Sequence, residues 1–502
     1  MNNPKLIYFQ EPQLTFAHLQ KTEDPRDGLT LFGPFTSQSV AGAITVGIIG
    51  PRIQINYLRN YLVKIHNPVI SDKTDIARPF FPGVEAALGI SINSRSIQEI
   101  ELKQCDIDTY LKYTDSHQRV FNLSSLYADE LRKFCNSEHV HVDVWFVVIP
   151  QSIYTLCRPK SRVPRTDDTI NIGLAKCDRN SDQPSLFEED NELKAAYQYE
   201  LNFHNQLKAK LLNDKIITQI VRDQTIAYKE LLSSDEKINQ ESKFDSAKAW
   251  NIATTLYYKA GGIPWKLGEI RRQVCYLGLV YKKIDSSPDE RKACCAAQMF
   301  LDSGDGMVFR GNIGPWYNPE TKQCHIARRD ACDLLKMSLQ SFQEKLKYLP
   351  EEIFIHARTY FDDEEWSGFL DATQGKCKIV GIRIRDDNHL KLYRRYQYAV
   401  PRGASLILSD VEAYLWTKGY VPRLQTQLGL EVPSPLYIQI TRGEADINTV
   451  CHDIFALTKL NYNACIFGDG EPVTLRFADS IGNILTAGPN VTTEVLSFKH
   501  YL

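Results

Sequence analysis

A chain of 502 residues is about three times the ~150 of an average domain, which excludes a single small module and predicts two domains, each with its own core. Its 43% hydrophobic and 24% charged content is that of a globular protein rather than a disordered chain, and no apolar run reaches the length of a membrane span. Lys plus Arg number 59 against 61 for Asp plus Glu; the net charge of −2 excludes a globally basic protein, so any polyanion must be held by local clusters.

Met1 to Lys5 carries neither the charge cluster nor the apolar core of a secretion signal. Twelve scattered cysteines, none in a C-x-x-C, predict reduced thiols in a cytoplasmic protein. After the apolar-rich Leu6 to Phe9, Asp24 to Pro34 is dense in turn residues and reads as an irregular segment. Ile44 to Gly50 predicts a short buried strand, Ile53 to Ile65 a helix, and Val142 to Ile149 a central strand buried on both faces. A loop covers roughly 158–185. Residues 187–212 read as one long helix opened by Glu188, Glu189 and Asp190, acids that suit a helix N-terminus. Ile216 to Val221 predicts a strand, and Lys243 to Lys259 a helix ended by Gly261-Gly262-Ile263-Pro264.

Beyond this point the pattern changes. Val274 to Tyr281, Ala293 to Leu301 and Gly306 to Arg310 read as successive strands, the last two joined through Asp302-Ser303-Gly304-Asp305-Gly306. A helix from Arg328 to Leu346, a strand from Glu352 to Arg358, a helix from Phe361 to Leu370, strands between Ile379 and Leu408 and a helix from Ile447 to Lys459 follow. The reading is an α/β half and a mixed-sheet half divided near residue 265. Cys294, Cys295, Cys324, His325 and Cys332 lack the ligand spacing of a zinc site, and Ala-Cys-Cys-Ala-Ala reads as a packed strand. Asp362, Asp363, Glu364 and Glu365 read as the first turn of a helix.

Two groups of residues carry chemistry. Lys376 to Arg402 holds eight basic residues against Asp386 and Asp387, a net +6 in 27 residues. Within it, Ile382-Arg383-Ile384-Arg385 alternates with period two, which puts both arginines on one face of a strand. Arg383, Arg385, Lys391, Arg394 and Arg395 read as a track for a phosphate backbone. His204 and Lys208, four apart on a helix, share a face and can donate to an anion; Gln219 and Lys259 would add two donors if their elements converge. A crevice at the C-terminal edge of a parallel sheet is where such folds bind phosphates. Spacing alone does not close that pocket.

Lys259 to Leu267 (Lys-Ala-Gly-Gly-Ile-Pro-Trp-Lys-Leu) resembles the junction between the MID and PIWI domains of Argonaute proteins. His204, Lys208, Gln219 and Lys259 fall in the order of that family's pocket for the 5′ phosphate of a guide. Gly28-Leu29 with Gly33-Pro34 resembles the approach to MID, and Pro472 to Asp479 the last PIWI strand and helix start. The resemblance spans nearly the whole chain, without N or PAZ domains, and points to short prokaryotic Argonautes of TIR-APAZ-associated systems. It implies a Rossmann-like MID domain at 23–265, led into by residues 1–22, and an RNase H-like PIWI domain at 266–502. It also implies a magnesium ion bridging the guide phosphate and the C-terminal carboxylate of Leu502. Thr255 stands where animal relatives carry a second lysine. Val280 and Ala357 stand at positions where slicing relatives carry aspartates, and Asp479 alone keeps a carboxylate, so two-metal cleavage is not expected. The implied protein is a cytoplasmic guide-RNA-loaded sensor of single-stranded DNA from plasmids or phages, with no membrane contact. It would pair with an APAZ-containing TIR effector that degrades NAD, as a heterodimer that assembles further on target binding. The alternatives are a nuclease with an unrecognised metal site, such as Asp479 with Asp362 or Asp453, or the same sensor paired with a sirtuin-like or nuclease APAZ effector.

Overall fold

The computed structural model describes residues 3–36, 42–70, 76–92, 97–138, 140–163, 166–174, 193–227, 245–268, 271, 273–284, 289–300, 306–395, 398–429, 432–489 and 495–502. Among them, no helix is long and apolar enough to cross a membrane.

The chain opens with β1 (Lys5–Tyr8) and α1 (Pro25–Phe32). The expected irregular segment is therefore a helix: the Asp24 side chain caps it by accepting from the Arg26 amide, Pro25 takes the first turn, and Gly33 ends it at φ +77°. Asp-Pro and Gly-Pro, turn signals by composition, are here the two ends of one helix.

Four parallel strands follow, β2 (Val46–Gly50), β3 (Gln98–Glu101), β4 (Val144–Ile149) and β5 (Thr218–Arg222), in spatial order β3-β2-β4-β5. β4 is buried throughout: Val144, Phe146 and Val148 enter one apolar cluster, while Trp145, Val147 and Ile149 enter another on the opposite face. Helices α2 (Arg52–His66), α3 (Ser116–Ser137), α4 (Phe203–Leu211) and α5 (Asp245–Lys259) pack around this sheet. The single long helix expected at 187–212 is not formed. A 3-10 turn at Ala196–Gln198 precedes extended backbone, and the Asn202 side chain caps a new helix by accepting from the Asn205 amide. Its expected acidic start lies outside the described residues, as do most of the 158–185 loop's end and the turn at 301–305.

The second half is built on a ten-stranded sheet. Its strands are β6 (Val274–Lys283), β7 (Ala293–Phe300), β8 (Gly306–Gly314), β9 (Glu352–Ala357), β10 (Lys378–Asp386), β11 (Ala404–Ser409), β12 (Glu412–Leu415), β13 (Leu436–Arg442) and β14 (Val495–Ser497), joined by β1. The order is β1-β11-β12-β13-β10-β9-β6-β7-β8-β14; β6, β9 and β10 are parallel and the other pairings antiparallel. One face packs under α6 (Arg328–Leu346) and α7 (Asp363–Thr373), the other under α8 (Ile447–Leu457) and α9 (Ala478–Leu485).

The first residues thus tie into the second half of the chain: Leu6 pairs with Leu406, and Leu14–Thr15 with Lys266–Leu267. Where a strand was expected from Pro472, the chain forms a one-turn helix, Val473–Arg476, before α9. It lies directly on β6, where a Cβ at Gly278 would stand 1.8 Å from the Thr474 carbonyl oxygen.

Candidate nucleic-acid interface

Parallel strand β5 and helices α4 and α5 bring the first group together. Lys208 stands on the inner face of α4, and Lys259 in the last turn of α5, which Gly261 ends at φ +103°. Both ammonium groups donate to the Thr218 carbonyl, at 2.7 and 2.8 Å, and to a terminal oxygen of Leu502, at 2.5 and 2.6 Å. Lys259 also donates to Gln219 Oε1 at 2.6 Å. Three positions distant in sequence therefore converge on the chain's own C-terminus, which no spacing could have revealed.

The electrostatics are unusual. Lys208 and Lys259 are fully buried, and burial pushes the Lys208 pKa down to about 7; burial, then the neighbouring Lys208, pushes Lys259 down further from its ordinary range. Burial leaves both lysines short of counter-charge, which an incoming anion would supply. His204 is at the rim, with an edge open to solvent and Nδ1 3.2 Å from Asn205 Oδ1. Its dense surroundings, and then Lys208, lower its pKa. Thr255 turns away: its hydroxyl donates to the Asn251 carbonyl of its own helix at 2.8 Å.

His500 was not foreseen. It is buried, and burial followed by repulsion from Lys499, Lys208, Lys215 and Lys259 lowers its pKa to about 4. Its Nδ1 and the Thr218 hydroxyl are buried without a hydrogen-bond partner among the described residues. Orphaned polar atoms beside a cationic pair mark a place for a polar ligand. The acceptors gathered here, the Leu502 oxygen, the Thr218 carbonyl and the Gln219 amide oxygen, are also the hard oxygen donors that suit magnesium.

The basic run divides. Arg383 and Arg385 project from one face of β10 while Ile382 and Ile384 enter the core behind it. The Arg383 guanidinium lies 4.0 Å from the Tyr360 ring centroid and donates to Gln439 Oε1 at 2.9 Å; Arg385 lies 5.2 Å from the Tyr437 ring. Tyr414 and Tyr437 pack at 4.9 Å, which completes a surface of planar and cationic groups. Arg394 and Arg395 are exposed in the segment after β10, and Lys391 is held by the Ser434 hydroxyl at 2.5 Å. Arg402 leaves the surface altogether: it is 1% exposed and donates to Glu11 at 3.1 Å. Lys459 joins the same carboxylate at 2.8 Å. A charge count along the sequence cannot see a partner 391 positions away.

Val280 is buried in the core on one face of the ten-stranded sheet and Ala357 in the cluster on the other. Asp479 lies in the first turn of α9, exposed, with an oxygen 3.6 Å from Arg358. Asp453 is committed to Arg271 at 2.6 Å, and Asp362 caps α7 through the Glu365 amide at 2.7 Å. His356, beside Ala357, is buried against the Thr474 hydroxyl at 2.8 Å, and burial keeps its ring neutral.

This architecture is that of Argonaute proteins. The chain superposes on Clostridium butyricum Argonaute bound to a guide DNA and a 19-mer target DNA with a TM-score of 0.65 at 16% identity, over 98% of this chain and 54% of that one. Aquifex aeolicus Argonaute matches with a TM-score of 0.54 at 14% identity, over 100% of this chain and 57% of that one. Drosophila Piwi matches with 0.55 at 13% identity, over 99% and 56%. The chain spans about half the length of these proteins. No protein-family model and no curated protein sequence matches it. At such identities the likeness defines the fold, a mixed α/β MID-PIWI architecture of Argonaute type.

Proposed function

We propose that this chain is a short Argonaute, MID at 23–265 and PIWI at 266–502, that holds the 5′ phosphate of a guide RNA and senses complementary single-stranded DNA. The observation that carries the reading is the convergence of Lys208 and Lys259 on the Leu502 carboxylate beside the orphaned Thr218 and His500. A phosphate there would take charge-assisted hydrogen bonds from both lysines, with Gln219 and His204 at its side. The Leu502 oxygen, the Thr218 carbonyl and Gln219 Oε1 would hold a magnesium ion there, which would supply positive charge to neutralise the guide phosphate. The guide and target would run along Arg383, Arg385, Arg394 and Arg395, which contact backbone and leave sequence recognition to base pairing.

On this reading the chain does not cut. Val280 and Ala357 offer no ligand, and the carboxylates of Asp479 and Asp453 answer to Arg358 and Arg271, which supports a sensor over a nuclease. Output then belongs to a partner, an APAZ-containing TIR protein that degrades NAD in the cytoplasm when target binding drives assembly and ends the infected cell. Equilibrium binding of 5′-phosphorylated and 5′-hydroxyl RNA to the wild type and to Lys208→Ala with Lys259→Ala tests the pocket. The phosphate should improve affinity at least tenfold, about 1.4 kcal/mol, in wild type only. Equal affinity for both RNAs would refute guide loading.

A further inference from the structure

A second site lies on the far face of the ten-stranded sheet, under α7. His325 follows the short strand Gln323–Cys324, while Asp362 and Glu365 belong to the start of α7. One ligand-type atom from each lies within 4.8 Å of the other two. His325 Nδ1 is 3.5 Å from Glu365 Oε2 and 3.7 Å from Asp362 Oδ2. A cation holding nitrogen and oxygen ligands at about 2.1 Å separates neighbours in a tetrahedral shell by about 3.4 Å. The two histidine–carboxylate separations are therefore those of ligands around one ion.

Each of the three is also oriented from behind. The second oxygen of Asp362 accepts from the Glu365 amide at 2.7 Å, the second oxygen of Glu365 accepts from the Tyr281 hydroxyl, and His325 Nε2 lies 3.3 Å from Gln323 Oε1. Such outer partners fix the tautomer and leave the inward atoms aimed at a common point. The Glu365 side chain is 2% exposed, so its charge needs a counter-ion, and Asp362 at 43% leaves one side open to solvent. Two carboxylates outweigh the roughly half positive charge at the start of α7.

From this arrangement we infer that His325, Asp362 and Glu365 bind a divalent first-row metal ion of the zinc or manganese kind, with water completing its shell. One imidazole with two carboxylates suits such an ion better than magnesium, which keeps most of its waters. The site is independent of guide loading: it lies on other elements and shares no residue with the lysine pocket.

The test uses the full chain without guide, stripped by chelator and titrated with zinc and then manganese, with calorimetry and with metal analysis after gel filtration. Wild type should take up one equivalent of zinc and gain thermal stability with metal concentration. His325→Ala should lose the equivalent. Asp362→Asn and Glu365→Gln, which keep the backing hydrogen-bond acceptors and hence the fold, should weaken binding at least tenfold and lose the metal-dependent stabilisation. Wild type that binds no zinc, or three variants that bind it as wild type does, would overturn the assignment and leave a histidine–carboxylate hydrogen bond.

Discussion

Raising the pH from 7 to 8.5 should weaken binding of a 5′-phosphorylated guide and leave a 5′-hydroxyl guide unaffected at this pocket. In the guide-free protein Lys208 titrates at about 7 because burial strips its ammonium of water. A phosphate dianion restores the charged form, so binding takes up a proton. The groups facing Lys208 are Lys259, His204, His500 and the Leu502 oxygen; the two histidines are held neutral across this range, while Lys259 adds to the effect. With Lys208 protonated in the complex, affinity scales as the protonated fraction of the free form and drops about 16-fold over the interval, about 1.6 kcal/mol. The sign for folding is opposite. Unfolded Lys208 keeps its proton up to its ordinary pKa, so the unfolded state binds more protons between about 7 and 10.5, and guide-free stability should rise with pH there. Fluorescence anisotropy with both guides at fixed ionic strength measures the first effect, and denaturant titration the second. A phosphate preference that stays constant or grows from pH 7 to 8.5 would refute the reasoning.

Four further outcomes are expected. Glu11→Gln leaves Arg402 and Lys459 buried without their shared counter-charge and should cost about 3–5 kcal/mol in denaturant titration. Acid should reproduce part of that loss: burial raises the Glu11 pKa, but Arg402 and Lys459 more than offset it, so the stabilisation present above the ordinary carboxylate pKa fades as pH falls through the lowered one. Arg383→Ala with Arg385→Ala should weaken guide–target duplex binding alike for all sequences and reduce the salt slope by up to about 2, with unchanged slope in a salt titration as the contrary result. Gly278→Ala drives a methyl group into the Thr474 backbone and should cost at least about 3 kcal/mol or prevent soluble expression, whereas the same change at exposed Gly375, where φ is +73°, should cost only the roughly 1–2 kcal/mol of left-handed backbone strain.

Much of the architecture was legible because its signals are local. The uninterrupted apolar run of β4 reads as a strand buried on both faces, Ile382-Arg383-Ile384-Arg385 reads as a two-faced strand, and Gly261 marks the end of α5; each depends on neighbours within a few residues. Local signals also misled where two structures share one composition. Asp24-Pro25 and Gly33-Pro34 are turn residues and helix ends alike, and only the Asp24 cap on Arg26 decides between them. The likeness to an Argonaute pocket named His204, Lys208, Gln219, Lys259 and Leu502, but the folded chain decided that the two lysines themselves bond to Leu502 and that His500 joins them, since those contacts cross more than 240 positions. Charge is the clearest case. The sequence counts Arg402 with the basic run and groups His325 with neighbouring cysteines, while tertiary packing buries the first against Glu11 and brings the second to Asp362 and Glu365. A side chain's chemistry is written in the sequence; its solvent and its partners, which set pKa, charge and ligand capacity, exist only once distant segments pack together.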